Sequence, residues 1–181
     1  MDLNGDGYLD VAVSTLIGNS SGVAVLLNQG STAPGTLSTA TSYPGPTGLI
    51  PASMGVGDFN GDGKQDILVS GGRVGGGPLA VFYGNGDGTL QTAQTTPGGG
   101  LLATGDFNHD GLTDVAYVGG TLPPSSSLQV LLGNSSGKFT TGINLPLSND
   151  LGNVFPLIAG TTNGGSNVDL ALCLLYTSRC V

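Results

Sequence analysis

One nine-residue segment is written three times in this chain, as DLNGDGYLD from Asp2 to Asp10, DFNGDGKQD from Asp58 to Asp66 and DFNHDGLTD from Asp106 to Asp114. Successive copies begin 56 and 48 residues apart, a spacing that belongs to stacked repeat architectures. The sequence between copies repeats as well. An apolar run follows each copy directly, at Val11 to Val13, Ile67 to Val69 and Val115 to Val118, and a Gly-containing break follows the run. A second run occupies Val23 to Leu27, Leu79 to Tyr83 and Leu128 to Leu132, ending on the turn signals Asn28, Gly84-Asn85 and Gly133-Asn134. Thr36 to Thr41, Thr89 to Thr95 and Lys138 to Asn144 read as more exposed strands of mixed polarity. Small-residue strands at Ala52 to Gly57 and Leu101 to Gly105 precede the second and third copies.

Four short strands per period leave no room for long helices, and the residue types agree. Glu is absent, Lys is confined to Lys64 and Lys138, and the 181 residues include 34 Gly and 10 Pro. The expected fold is therefore all-β, built from β-propeller blades of four antiparallel strands, with the acidic segment between the first and second strand of each blade. Small residues in the first strand suit the innermost position, where neighbouring blades crowd. The units run approximately over 1–50, 51–98 and 99–152, with a truncated fourth over 153–172.

All twelve acidic residues are Asp, and nine of them sit inside the three segments. Left unneutralised, three carboxylates in one short loop repel one another. A hard cation such as calcium takes six to eight oxygens at about 2.3–2.6 Å in a flexible cage. Alternate positions 1, 3, 5 and 9 offer such oxygens, and position 7 offers its main-chain carbonyl. The first candidate site is Asp2, Asn4, Asp6, Asp10 and the carbonyl of Tyr8. The second is Asp58, Asn60, Asp62, Asp66 and the carbonyl of Lys64, with Gly63 letting the chain turn. The third is Asp106, Asn108, Asp110, Asp114 and the carbonyl of Leu112. Free variation at position 7 fits a main-chain ligand. Three structural calcium ions are expected, while the fourth loop, Thr161 to Asp169, keeps only Asn163 and Asp169 as ligands and is expected to bind none. An EF-hand shares the opening but needs a bidentate acid at position 12 leading into a helix. Val13, Val69 and Tyr117 stand there instead, within strand-forming runs.

Taken together, these segments and the strands around them resemble the FG-GAP (VCBS) repeat family, the calcium-loop propeller repeats of integrin α chains and of many bacterial surface or secreted proteins. The resemblance covers Asp2 to Leu172. It implies a seven-bladed propeller, of which the chain supplies about three and a half blades, the remainder lying elsewhere in a parent protein. Met1 stands where Gly57 and Gly105 stand in later units and reads as an internal start. Residues 173–181, CLLYTSRCV, resemble the translation of two sequencing-library transposon ends joined head to head, and are expected to be non-native together with both cysteines.

Other functions find little material. A net charge of -8 with four scattered basic residues makes no cationic patch for nucleic acid or an anionic membrane. No apolar run spans a bilayer. His109 is the single His, so a His-based zinc site or catalytic triad cannot be assembled. Asn85-Gly86-Asp87-Gly88 imitates a metal loop but reads as a hairpin turn, and Gly71 to Gly77 reads as a connection rather than a phosphate cradle. Asn19 and Asn134 open formal glycosylation triplets that read as turns. The expected function is non-enzymatic: a calcium-stabilised module of a secreted or cell-surface protein that mediates adhesion or binds an extracellular protein or glycan. The alternatives are part of a propeller-based carbohydrate-active lyase or hydrolase, for which paired carboxylates outside the loops are scarce, and a passive extracellular scaffold.

Overall fold

The computed structural model describes residues 1–18, 20–72, 77–119, 127–147, 154–161 and 168–174, and among them there is no helix. Among the described residues thirteen strands form four antiparallel sheets in which chain neighbours are sheet neighbours. The first sheet is β1 (Val11–Ile17), β2 (Ser20–Leu26) and β3 (Thr41–Pro44). The second is β4 (Pro51–Gly57), β5 (Asp66–Gly71), β6 (Leu79–Phe82) and β7 (Gln94–Thr96). The third is β8 (Leu101–Gly105), β9 (Asp114–Gly119), β10 (Ser127–Leu132) and β11 (Thr140–Pro146). A pair, β12 (Val154–Gly160) and β13 (Asp169–Leu174), makes the fourth. The ladder of that pair runs through Cys173 and Leu174, which face Phe155 and Val154.

Equivalent registers show that the sheets are copies of one unit. Gly57 pairs with Asp66, and Gly105 with Asp114. Met1 holds the same place, its carbonyl accepting from the Asp10 N–H at 2.6 Å. The first sheet thus shows only the last rung of a strand equivalent to β4 and β8. Positions 12 of the acidic segments, Val13, Val69 and Tyr117, all lie on strands, which disposes of the EF-hand.

The third strand of two units departs from expectation. It lies at Thr41–Pro44 and Gln94–Thr96 rather than at Thr36 to Thr41 and Thr89 to Thr95. Leu37 and Leu90 make single bridges to Asn28 and Gly84 that close the turn. Pairing resumes only after that turn. Polar edge strands carry weak register information, so their bounds follow turn geometry more than composition.

The core lies between the sheets. Each central strand alternates its side chains, so Ile67 and Val69 pack with Val23 and Val25 of the first sheet. Leu68, between them on β5, joins Val115 and Tyr117 of the third. Ala116 and Val130 then meet Leu157 of the fourth. All six residues of β5 and of β9 are buried, the signature of strands covered on both faces. Each Val, Leu or Ile so buried stabilises the fold by roughly 1.5–3 kcal/mol. The small-residue strands meet where crowding demands them: a Cβ on Gly55 would stand 2.5 Å from Thr104 Cγ2 of β8.

Candidate metal centre

Each acidic segment connects the first strand of a unit to the second and folds back on itself through its own N–H groups. In the first copy Asp2 accepts from the Gly5 N–H at 2.8 Å and the Gly7 N–H at 2.9 Å, one on each oxygen. Asp58 accepts likewise from Gly61 at 2.7 Å and Gly63 at 2.8 Å. Asp106 accepts from Asp110 at 3.2 Å and Gly111 at 3.0 Å. At position 3, Asn4, Asn60 and Asn108 accept through Oδ1 from the N–H two residues on. At position 5, Asp6, Asp62 and Asp110 do the same toward Tyr8, Lys64 and Leu112. The chain can curl so tightly because positions 4 and 6 are left-handed, Gly61 and Gly63 at φ 73° and 78°. His109, at position 4 of the third copy, takes φ 62° despite its side chain and is exposed.

Position 9 behaves differently. Asp10, Asp66 and Asp114 are buried, and each carboxylate bridges two main-chain N–H groups far apart in sequence. Asp66 accepts from Phe59 and from Gly84, both at 2.9 Å. Asp10 holds Leu3 and Asn28, and Asp114 holds Phe107 and Gly133, at 2.8 and 2.9 Å in each case. The bracket ties the start of the loop to the turn after the second strand that follows it. Burial pushes the Asp66 carboxyl up to about 6, against the pull of its two N–H donors, and the nearby Asp62 and Asp58 charges add to the rise. Asp114 is raised for the same reasons, with Asp110 and Asp106 as its neighbours.

Three features of the loop were not read from the sequence. Position 2 is a plug: Leu3 and Phe59 are 2% and 1% exposed, and each is packed into the sheet of the next unit. Phe59 meets the ring of Phe139 edge-on at 5.8 Å. The residue after the second run is the far end of the bracket, and there a Cβ on Gly84 would stand 2.2 Å from the Gln65 carbonyl. Position 8 reaches backwards: Thr113 Oγ1 accepts from the Asp58 N–H at 3.1 Å, and the Thr113 N–H donates to the Asp58 carbonyl at 2.9 Å. An apolar position 2 beside an Asp was the available signal for the plug.

The candidate ligands therefore fall into two groups. Positions 1, 3 and 5 cluster on the outer side of the loop, with Asn4 and Asn108 donating to Asp6 and Asp110 at 3.0 and 2.9 Å. In the second copy Lys64 Nζ lies 3.8 Å from Asp62 Oδ2, an exposed and weak ion pair. Position 9 lies beneath, its oxygens engaged. Among the described residues no three Asp or His side chains close round one point as a ready cage. The donors are nonetheless hard oxygens, and each N–H-bonded oxygen has a second lone pair. The set fits calcium in kind. The fourth loop, apart from Thr161, Val168 and Asp169, lies outside the described residues, as does most of Gly71 to Gly77. Asn85 to Thr89 is a turn, closed by Asn85 N–H to the Thr89 carbonyl at 2.9 Å, with Asp87 accepting from Thr89.

A family profile described as an FG-GAP-like repeat matches residues 2–69. Over these residues the chain is similar to FG-GAP-like repeats. The FG-GAP-like segment takes in the first two acidic loops and the first sheet, and the third loop repeats the hydrogen bonds of positions 3, 5 and 9. A comparison with curated proteins gives no match.

Proposed function

We propose that the chain is a calcium-binding module of β-propeller blades from a secreted or cell-surface protein, in which calcium is structural and adhesion or the binding of a protein or glycan is the task. The observation that supports this most is the same division of labour in three loops. Positions 1, 3 and 5 gather oxygens on the exposed side, while position 9 is buried in all three and position 2 is buried as Leu3 and Phe59 and half-buried as Phe107. Calcium, when bound, supplies charge neutralisation and a fixed point for hard oxygens. The residues beneath transmit that order: Asp66 holds Phe59 and Gly84, and Phe59 packs between the second and third sheets. A loop held still on its outer side therefore holds two sheets together. The FG-GAP-like match and the four antiparallel sheets support the propeller-type reading.

Isothermal titration of the chelator-treated chain with calcium tests the reading. A stoichiometry near three is expected, falling to near two in Asp62→Ala. Zero heat with a folded protein would remove calcium from the account. Glycan-array binding in calcium then separates a lectin-like role from a passive scaffold.

A further inference from the structure

We propose that Asn85-Gly86 is a site of spontaneous covalent modification, where the main chain attacks its own side chain, releases ammonia and leaves an aspartyl or isoaspartyl residue. The tetrapeptide Asn-Gly-Asp-Gly occurs at Asn4 to Gly7, at Asn60 to Gly63 and at Asn85 to Gly88, so local sequence makes the three sites equal. Glycine after Asn favours the attack because no Cβ shields its nitrogen. The reacting atom is that nitrogen after loss of its proton, so whatever engages the N–H sets the rate.

In the acidic loops it is engaged by charge. The Gly5 and Gly61 N–H groups donate to the carboxylates of Asp2 and Asp58 at 2.8 and 2.7 Å. A carboxylate there opposes formation of the nitrogen anion, and the bond must break before the nitrogen can turn to attack. Neighbouring Asp-Gly junctions react by the same route and are tied too. Gly7 and Gly63 donate to Asp2 and Asp58, and Gly88 to the Leu3 carbonyl at 3.0 Å. Gly86 is the exception. Its N–H donates to no acceptor among the described residues, its φ is 80°, and Asn85 is exposed. The Asn85 carboxamide is held by its nitrogen, Nδ2 donating to Thr89 Oγ1 at 2.8 Å.

The step balances with water as the only co-reactant. Base removes the Gly86 amide proton, the nitrogen bonds to Asn85 Cγ, and the Cγ–Nδ2 bond breaks as ammonia leaves with a proton. Water then opens the cyclic imide at either carbonyl, giving Asp or isoaspartate. The isoaspartyl product carries one extra main-chain carbon between two fixed points, Gly84 held by Asp66 and Gly88 held by Leu3. Modification therefore bears on the tie between the second unit and the acidic loop of the first. The proposal rests on backbone hydrogen bonding alone and stands independently of calcium.

Peptide mapping by mass spectrometry of the full chain, incubated folded at neutral pH with chelator, tests it. The exchange of NH2 for OH marks each converted Asn, and far-UV circular dichroism verifies folding. Asn85 should convert faster than Asn4 and Asn60 by about tenfold or more, the effect on a rate of one hydrogen bond to a charged group. In urea the three rates should converge, because only the fold distinguishes the sites. Asp58→Ala removes the acceptor from Gly61 and should raise the rate at Asn60. Asp2→Ala does the same for Asn4 should the first variant fail to fold. Equal rates at the three sites of the folded chain would overturn the proposal, as would an Asn85 that stays intact while Asn60 reacts. So would a folded variant whose released Asn reacts no faster than before.

Discussion

The ninth-position Asp is both a candidate ligand and a main-chain bracket, and the second role is tested without metal. Asp66→Ala strands the Phe59 and Gly84 N–H groups in a buried site, and a loss of roughly 2–4 kcal/mol is expected in urea denaturation with chelator present. The raised Asp66 carboxyl gives a pH test with a definite sign. Its folded value of about 6 lies above the ordinary 3.8, so the folded state binds the extra proton between them. This contribution is complete below about 4 and is lost as pH rises through about 6. The chelated protein should therefore be more stable at pH 5 than at pH 7, and Asp66→Asn should narrow that difference. His109 supplies the opposite kind of test. A non-Gly residue at φ 62° sits where the other loops have Gly5 and Gly61, so His109→Gly is expected to stabilise the fold by about 1 kcal/mol in thermal melts.

Among the elements, the acidic loop and the two strands after it were legible because their residues repeat in kind and order. The third strand was less so. Thr, Ser and Gln at an exposed edge fit many registers, and only the bridges Asn28 to Leu37 and Gly84 to Leu90 decide where pairing restarts. The candidate oxygens could be named from spacing, but the separate role of position 9 could not. Its N–H partners Asn28, Gly84 and Gly133 lie 18–19 residues downstream, and only the folded hairpin brings them back. Gly84 read as a turn residue, yet its need is steric. Gly84→Ala would drive a methyl group into the Gln65 carbonyl, and equilibrium unfolding should show a loss of about 2 kcal/mol or more. Phe59→Ala removes a plug from between two sheets and should cost about 3–5 kcal/mol by the same measurement.

For the whole molecule, sheets stacked in chain order make stability a sum of unit and neighbour terms. Calcium at about 100-fold over its dissociation constant is expected to add ~2.7 kcal/mol per filled loop, seen as a rise in melting temperature that chelator reverses. The two hydrogen bonds between Asp58 and Thr113, one between main chains and one from the Asp58 N–H to the Thr113 hydroxyl, bear on how that filling proceeds. One residue opens the second loop and the other stands next to the last residue of the third, so stiffening either loop restrains its neighbour's backbone. Ions entering these two places would then help one another, and their uptake should be steeper than that of independent sites, like adjoining links drawn taut together.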